Sequence, residues 1–187
     1  MQITPDTALV LIDLQQGILA LPTAHDSGLV LERGVRLAEA FRARRLPVAL
    51  VRVGWHADGG DLPLPGDAAT PAVPPAGFSD LSPALGPAPD DLVVTKRHWG
   101  AFTGTELDLQ LRRRGVRHIV LGGISTSIGV ESTARSAWEL TYRLTFATDA
   151  MTDLDGDSHL HSTTKIFPRL GHVTTTEEVL AALPAPS

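Results

Sequence analysis

Two charged residues stand where buried strands are predicted to end. Asp13 closes the apolar run of residues 8–14, and Lys96 follows the apolar run of residues 92–95. A carboxylate and an ammonium at neighbouring strand ends can share a partly dry cleft, where each changes the proton affinity of the other and either can transfer a proton. A purely structural ion pair is the alternative interpretation.

A turn rich in small residues follows a third apolar run, residues 118–121. Residues 123–129 read Gly-Ile-Ser-Thr-Ser-Ile-Gly and open an amphipathic stretch that ends near Tyr142. This order predicts a strand, a turn and a helix N-terminus. Backbone N–H groups at such a turn face an anion or a developing oxyanion. We therefore expect Ser125 and Thr126 to contact a substrate.

Three segments together resemble the isochorismatase-like (cysteine hydrolase) superfamily. Residues 123–135 resemble its signature, Gly-(Val/Ile)-Ala-Thr-(Asp/Asn)-x-Cys-Val, with Gly129 at the position of the catalytic Cys. Residues 8–15 resemble its first-strand Asp motif, and residues 94–102 resemble its Lys motif. The motifs occur in the family's order, and the similarity extends from about residue 7 to residue 183.

The chain contains no cysteine, so the covalent route of the thiol-bearing members is closed to it. In those members the resemblance implies that the Asp takes the thiol proton while the Lys helps to hold the thiolate. Ser127 and Thr126 are the nearest hydroxyls, but a residue two positions before Gly129 points to a different side of a helix start. Ser127 is better suited to capping or orienting the turn. The family also implies a cis peptide bond before Ser125.

One branch of the superfamily, the isochorismatases, often has Gly at this position and cleaves an enol ether without a covalent intermediate. The resemblance implies that Asp13 donates a proton, that Lys96 orients Asp13 or binds a substrate carboxylate, and that Gly129 leaves room for the substrate ring. The predicted substrate is thus a small anion such as isochorismate, with release of pyruvate. Residues expected to contact it are Gln15, Arg52, Trp99, Phe102, Ser125 and Thr126.

Two alternatives remain open. The chain could be a catalytically silent, ligand-binding relative, or a hydrolase of an unassigned small C–N or C–O substrate. An Asp13–Lys96 pair open to solvent would favour chemistry, and a sealed ion pair would favour the silent relative. Against a strict isochorismatase, residues 54–91 contain no Arg, Lys or Gln to hold a dicarboxylate. Arg52 could bind a carboxylate or form a salt bridge to Asp58 or Asp61.

Neither a metal nor a cofactor is expected. The nicotinamidase-like relatives bind zinc through an Asp and two His, whereas residues 54–91 contain only His56, with Asp58 and Asp61 nearby. One imidazole with surface acids is a weak site. His159 and His161 do not face each other on a helix and are interpreted as solvated or supporting residues. The aromatic side chains near the site, Trp55, Trp99 and Phe102, are interpreted equally as pocket walls or as core and subunit contacts.

The composition excludes some classes of binding partner and compartment. The formal net charge is -5 and 20% of residues are charged, with no basic stripe, which disfavours nucleic acid. No basic and apolar leader precedes residue 7, and no apolar run approaches ~18 residues, which disfavours secretion and membrane insertion. We therefore expect a cytoplasmic protein, and the resemblance implies a homodimer or a larger homo-oligomer.

Strand and helix patterns alternate along the chain and predict one Rossmann-like, doubly wound α/β domain over residues 1–187, with a mostly parallel sheet and helices on both faces. Strands are predicted at residues 8–14, 47–53, 92–95, 118–122 and 143–148. Helices are predicted at 28–45, 105–114, 127–142, 158–167 and up to 183, with capping boxes at 103–106 and 175–178. Residues 54–91 read as a long loop. Ligands of such sheets bind beyond the carboxyl ends of the strands.

Overall fold

Six parallel strands form the central sheet in the computed structural model, which describes residues 3–64 and 73–185. The order across the sheet is β3-β2-β1-β4-β5-β6, and every paired neighbour runs parallel. The strands are β1 Thr7–Ile12, β2 Val48–Val53, β3 Leu92–Lys96, β4 His118–Ile124, β5 Arg143–Thr152 and β6 His172–Thr174. The strand order reverses between β1 and β4, so the predicted α/β fold class is confirmed and its switch point lies there.

Helices cover both faces of the sheet. Alternate residues of β1 therefore belong to two separate hydrophobic cores. Ala8, Val10 and Ile12 belong to one core, and Leu9 and Leu11 belong to the other. The helices are α1 Gln16–Leu19, α2 Ser27–Arg42, α3 Leu107–Arg113, α4 Glu131–Glu139, α5 Gly156–His161, α6 Phe167–Leu170 and α7 Thr176–Ala182. No helix of the described ranges is both long and apolar enough to cross a bilayer.

Several element boundaries differ from the predicted ones. The helix expected from residue 127 begins as the π-helical turn Thr126–Val130 and continues as α4, and a second π-helical turn, Ser162–Ile166, separates α5 from α6. α1 and β6 are not predicted from the sequence, because elements of four and three residues are too short to show periodicity. β5 is longer than predicted, since Asp149 interrupts its apolar pattern.

Of the two predicted capping boxes, one forms. Thr175 accepts from the Glu178 backbone N–H and Glu178 accepts from that of Thr175, so α7 begins as predicted. The box at residues 103–106 does not form, because α3 begins at Leu107 without a capping side chain at Glu106. The Thr105 hydroxyl accepts from the Leu107 N–H at 3.2 Å and donates to the carbonyl of Ala101 in the preceding loop.

The predicted loop of residues 54–91 lies partly outside the described residues, which omit 65–72. Its described parts contain the 3-10 turn Pro83–Leu85 and a single antiparallel bridge between Leu81 and Gln15. The bridge brings the end of the loop against the segment that follows β1.

His118 is a buried imidazole that joins three strands at the amino ends of the sheet. Its Nδ1 lies 3.2 Å from the Thr7 hydroxyl, and its Nε2 lies 2.9 Å from the Thr145 hydroxyl. Burial lowers the pKa of His118 to about 4, with a smaller contribution from the Arg143 charge. The imidazole is therefore neutral in the folded protein at neutral pH.

This burial predicts a pH-dependent loss of stability. Between about pH 6.5 and about pH 4 the unfolded chain binds a proton at His118 that the folded chain does not, so the free energy of unfolding should fall as the pH falls. Urea unfolding across this range should show a weaker fall in His118→Gln and an unchanged one in the exposed His172→Gln. Burial raises the pKa of Asp13, so that group stabilises the fold as the pH falls, and only the difference from wild type isolates His118. Equal slopes in all three proteins would contradict the prediction.

Candidate active site

Asp13 is the first residue after β1, at the switch point of the sheet. Its N–H donates to the carbonyl of Val51 at 2.8 Å, and its φ of 54° lies in the left-handed region that Asp tolerates better than most residues. The strand thus turns at Asp13, and the residue is buried.

Lys96 is the last residue of β3, two strands from β1. Its Nζ donates to Asp13 Oδ2 at 2.7 Å, and the two side chains are only 2% and 7% exposed. The structure thus brings together the acid and the ammonium that the sequence places at strand ends. A sealed Asp13–Lys96 ion pair is what a silent, ligand-binding relative would show.

The second carboxylate oxygen of Asp13 is in a different situation. Oδ1 is buried and accepts no hydrogen bond from the residues described. Burial raises the pKa of Asp13 to about 6. The Lys96 ammonium opposes that shift, and so does the nearby Val53 N–H, whose hydrogen bond goes to Gln15 Oε1. A buried oxygen without a donor is costly for a carboxylate and less so for a protonated acid. The site therefore keeps a fraction of Asp13 protonated near neutral pH, which an exposed carboxyl group would not.

The backbone approaches β1 very closely just before the turn. A Cβ on Gly123 would lie 2.1 Å from the carbonyl oxygen of Ile12, and φ at Gly123 is +121°. Only glycine meets both conditions. This contact seats the turn Thr126–Val130 beside Asp13. The peptide bond between Ile124 and Ser125 is cis, as the family resemblance implies.

The N–H groups of the turn are not all available to a ligand. Ser127 N–H donates to Asp153 Oδ2 at 2.6 Å, and Leu154 N–H donates to Asp153 Oδ1 at 2.8 Å. The expectation that the turn presents its N–H groups to a substrate anion is therefore wrong for Ser127, because the chain supplies its own carboxylate. Asp153 follows β5 and was not predicted, since no local pattern places it near Ser127.

Gly129 lies against Asp13 and has little space beside it. A Cβ there would lie 3.0 Å from Ile12 Cγ2 and 3.3 Å from Asp13 Oδ2. The expectation that Gly129 leaves room for a substrate ring is not supported, because even a single added carbon would be in tight contact with Ile12 and Asp13. What Gly129 provides is close approach of the turn to Asp13.

A hydroxyl ties this turn to the Lys motif. The Thr133 hydroxyl donates to the Gly129 carbonyl at 2.7 Å and accepts from the Ala101 N–H at 3.0 Å. The loop that follows Lys96 is thereby held against α4. Thr133 is fully buried and was missed by the sequence analysis, although its position four residues after Gly129 is compatible with such a bond.

Thr126 is fully buried, and its hydroxyl lies 2.8 Å from His159 Nδ1. The interpretation of His159 as a supporting residue agrees with this contact, whereas His161 is exposed. No described contact brings Thr126 to Asp13, so its role in binding substrate stays a prediction. Ser125 is half-buried, and its carbonyl accepts from the N–H groups of Ile128 and Val130.

Gln15 connects three segments. Its amide NH₂ donates to the carbonyls of Val53 and Phe78, and its oxygen accepts from the Val53 N–H at 2.7 Å. The side chain is completely buried. These contacts show a structural clamp between β1, β2 and the long loop, and they lend no support to the predicted contact between Gln15 and substrate.

Arg52 does not form the salt bridge considered above. Its Nε donates to the Thr95 hydroxyl at 2.9 Å, while Arg97 forms the ion pair with Asp61 at 2.7 Å. The reason is register: Arg52 pairs directly with Thr95 across β2 and β3. Binding of a substrate carboxylate by Arg52 stays a prediction.

The aromatic residues lie in different environments. Trp99 is 64% exposed, and Phe102 packs against one core with its ring stacked on Tyr142 at 5.8 Å. The Trp55 indole N–H donates to the Arg97 carbonyl. Phe102 is thus a core contact, which was one of its two interpretations, while Trp99 remains free to cover a ligand.

His56 contacts Asp61 through its backbone N–H, and its imidazole Nε2 lies 3.8 Å from the same carboxylate. Asp61 is also engaged by Arg97. Within residues 3–64 and 73–185 no three His, Asp or Glu side chains are placed to hold a metal ion.

The tight packing at Gly129 gives a direct prediction. Gly129→Ala should lower the free energy of unfolding by about 1–3 kcal/mol, because Ile12 is fully buried and Asp13 is held by Lys96. Chemical denaturation would measure the change. Gly156→Ala is the matched control, since its Cβ would meet only the Ala24 methyl at 3.7 Å. Equal stability of the two variants would contradict the packing argument.

Comparison with known proteins agrees with this architecture. The isochorismatase domain profile matches residues 7–178. The chain is 51% identical over 180 residues to the isochorismatase family protein YecD of Escherichia coli O157:H7, which covers 95% of this chain and 96% of YecD. It is 46% identical over 179 residues to YwoC of Bacillus subtilis (strain 168), covering 93% of this chain and 92% of YwoC.

A solved structure shows the same fold at comparable identity. An isochorismatase family protein from Burkholderia thailandensis superposes with a TM-score of 0.93 at 47% identity, over 97% of each chain. The family resemblance drawn from the three sequence motifs is thereby confirmed. The chain belongs to the isochorismatase family of hydrolases.

Proposed function

We propose that this protein hydrolyses a small anionic substrate without a covalent intermediate, with Asp13 as the proton donor. The observation that carries the proposal is the state of the Asp13 carboxyl group. One of its oxygens is bound by Lys96, while the other is buried without a donor among the described residues. A carboxyl group whose pKa is raised by burial, at the switch point of an α/β sheet, is suited to general acid catalysis.

The finer proposal is an enol ether substrate of the isochorismate type. Asp13 gives its proton to the vinyl CH₂ carbon, and the neighbouring carbon becomes an oxocarbenium-like centre. Water adds to that carbon and releases a proton, which returns to the Asp13 carboxylate. The hemiketal then breaks its bond to the ring oxygen, which takes the hydroxyl proton, giving pyruvate and an alcohol. One water is consumed, and no thiol is required.

Lys96 has two roles in this scheme. Its ammonium fixes Asp13 Oδ2 at 2.7 Å, which leaves Oδ1 as the oxygen that carries the transferable proton. It also lies next to the carboxylate that forms when the proton leaves, and so stabilises the transition state by its charge. Closing the site around a buried pair strengthens this effect, because the local dielectric is low.

A silent, ligand-binding relative is the second candidate, and the sealed ion pair favours it. Side-chain exposures of 2% and 7% mean that both charges are almost completely covered. A structural pair would explain why Asp13 and Lys96 lie together, but it does not explain why Asp13 Oδ1 is buried without a hydrogen-bond donor. Catalysis requires that the cover over the pair opens when substrate binds.

Incubation with isochorismate, with pyruvate measured by a coupled assay, tests the proposal. Release of pyruvate that depends on Asp13 would support the enol ether reaction. Saturable binding of isochorismate by calorimetry without pyruvate release would favour the silent relative. Turnover of other small anions, but not isochorismate, would support the hydrolase activity and show that isochorismate is not the substrate.

A further inference from the structure

The hydroxyl of Thr133 joins two segments that meet at the candidate site. Thr133 lies in the first turn of α4 and is fully buried. Its Oγ1 donates to the Gly129 carbonyl at 2.7 Å and accepts from the Ala101 N–H at 3.0 Å. The first bond leads to the turn beside Asp13, and the second leads to the loop that follows Lys96. One hydroxyl group therefore links the two sides of the Asp13–Lys96 pair.

These contacts complete a closed path around the buried pair. Gly129 packs on Asp13, since its Cβ position lies 3.3 Å from Oδ2 of that residue. The same Oδ2 accepts from Lys96 Nζ at 2.7 Å. Five residues further along the chain, Ala101 returns to Thr133 through its N–H. Each residue of the path is buried, and the Thr133 hydroxyl is the contact that joins the loop to the turn.

The loop after Lys96 has to reach across the sheet to make this contact. β2 lies between β3, which ends at Lys96, and β1, which ends beside Asp13. The loop of residues 97–101 therefore spans β2 to reach α4. The Ala101 carbonyl is also engaged, since it accepts from the Thr105 hydroxyl. Threonine hydroxyls thus fix both backbone groups of Ala101 at the far end of the loop.

A second buried threonine makes one of these two bonds and lacks the other. Thr163 Oγ1 donates to the His159 carbonyl four residues earlier at 2.9 Å, as Thr133 donates to Gly129. Helical threonines form such bonds to the preceding turn. Among the residues described, no backbone N–H donates to the Thr163 hydroxyl. The bond from the Ala101 N–H is therefore what distinguishes Thr133.

We infer that Thr133 is a positioning residue for the candidate site: its hydroxyl keeps the Lys96 loop closed on the turn, so that water is excluded from the Asp13–Lys96 pair. Without the hydroxyl, the buried Ala101 N–H has no acceptor, and such a group either takes up water or moves to reach it. Either change opens the packing between the loop and the turn. As a statement about catalysis, the inference rests on the proposed role of Asp13.

Exclusion of water has a measurable effect on Asp13. Burial is the largest influence on this carboxyl group and raises its pKa to about 6, against the effect of the Lys96 charge. Water beside the carboxylate stabilises its charged form, so opening the packing should lower the pKa towards its ordinary value. Thr133 carries no charge, and its variants can therefore act on this pKa only by changing the surroundings of Asp13.

Two substitutions separate the hydroxyl of Thr133 from its shape. Thr133→Val keeps the shape and removes the hydroxyl, whereas Thr133→Ser keeps the hydroxyl. Titration of the Asp13 carboxyl carbon by ¹³C NMR, with the signal assigned by Asp13→Asn, should give a midpoint lower by about one pH unit in Thr133→Val. The midpoint should be unchanged in Thr133→Ser and in the control Thr163→Val, which loses only bonds to the preceding turn.

Hydrogen exchange tests the contact in the wild type, so the inference stays testable even where Thr133→Val does not fold. The Ala101 amide should exchange at least about 100-fold more slowly than the amide of the exposed Trp99 in the same loop. It should remain slow in Thr133→Ser and become at least about tenfold faster in Thr133→Val. Equal exchange of Ala101 and Trp99 in the wild type would show that the loop is not held closed.

An unmoved Asp13 midpoint in a folded Thr133→Val would overturn the inference. An equal movement in Thr163→Val or Thr133→Ser would also overturn it, because the effect would then not come from the bond to Ala101. On any substrate that the wild type hydrolyses, the alkaline fall of kcat should move to lower pH in Thr133→Val. Absence of all turnover would refute the proposed function and leave the titration and the exchange measurement valid.

Discussion

Asp13→Asn is expected to lower kcat by at least about 100-fold on any substrate that the wild type hydrolyses, since the amide cannot donate a proton as the carboxyl group does. Binding should be retained, because Asn keeps the shape of the side chain. Steady-state kinetics and calorimetry would measure the two effects separately. Asp90→Asn, an exposed change at the opposite end of the sheet, is the control.

The pH profile supplies an independent check on the same residue. The burial that raises the pKa of Asp13 to about 6 keeps it partly protonated near neutrality. A proton donor is active in its protonated form, so the rate should fall about tenfold per pH unit above that pKa. An Asp13→Asn variant with wild-type kcat, or a wild-type rate that rises with pH through this range, would contradict the mechanism.

The candidate site could be predicted as far as strand ends could be recognised. Asp13 and Lys96 follow apolar runs, and parallel strands place their carboxyl ends together. The sequence could not show that the pair would be sealed or that Asp13 Oδ1 would lack a donor. Both depend on how the segments around the strand ends pack over them.

Residues that hold the turn were missed for a related reason. Asp153 and His159 lie 26 and 33 residues after their partners Ser127 and Thr126. No periodicity links positions at such separations, because the contact arises from the order of β4 and β5 in the sheet. For Gln15 the error is the opposite one, a role predicted that the structure does not support. Its place in the Asp motif suggested substrate binding, but its amide bonds to the backbone of Val53.

A local sequence pattern predicted the local structure only where no other contact competed for the same groups. The same capping-box pattern forms at Thr175 and fails at residues 103–106, because α3 begins only at Leu107 and its first N–H donates to Thr105. Likewise the π-helical turn at Thr126 replaces a regular helix start. Its neighbours hold it from outside through Asp153 and Thr133. Tertiary contacts therefore decide local structure close to the site.

Lys96→Met is expected to lower the free energy of unfolding by about 3–5 kcal/mol at neutral pH, because the buried Asp13 loses its partner and must either stay charged without it or take up a proton. The double variant Asp13→Asn/Lys96→Met should recover a large part of that loss, since it removes both charges together. Urea unfolding of the wild type, the two single variants and the double variant gives the coupling free energy.

Arg36→Met is the matched control, because its ion pair with Glu177 is exposed and should contribute no more than about 1 kcal/mol. The same Lys96→Met variant also tests the role of the ammonium in catalysis. Since the Lys96 charge lowers the pKa of Asp13, its removal should move the alkaline fall of any residual activity to higher pH. A variant as stable as Arg36→Met, with an unmoved pH profile, would show that Lys96 neither stabilises Asp13 in the fold nor tunes its proton.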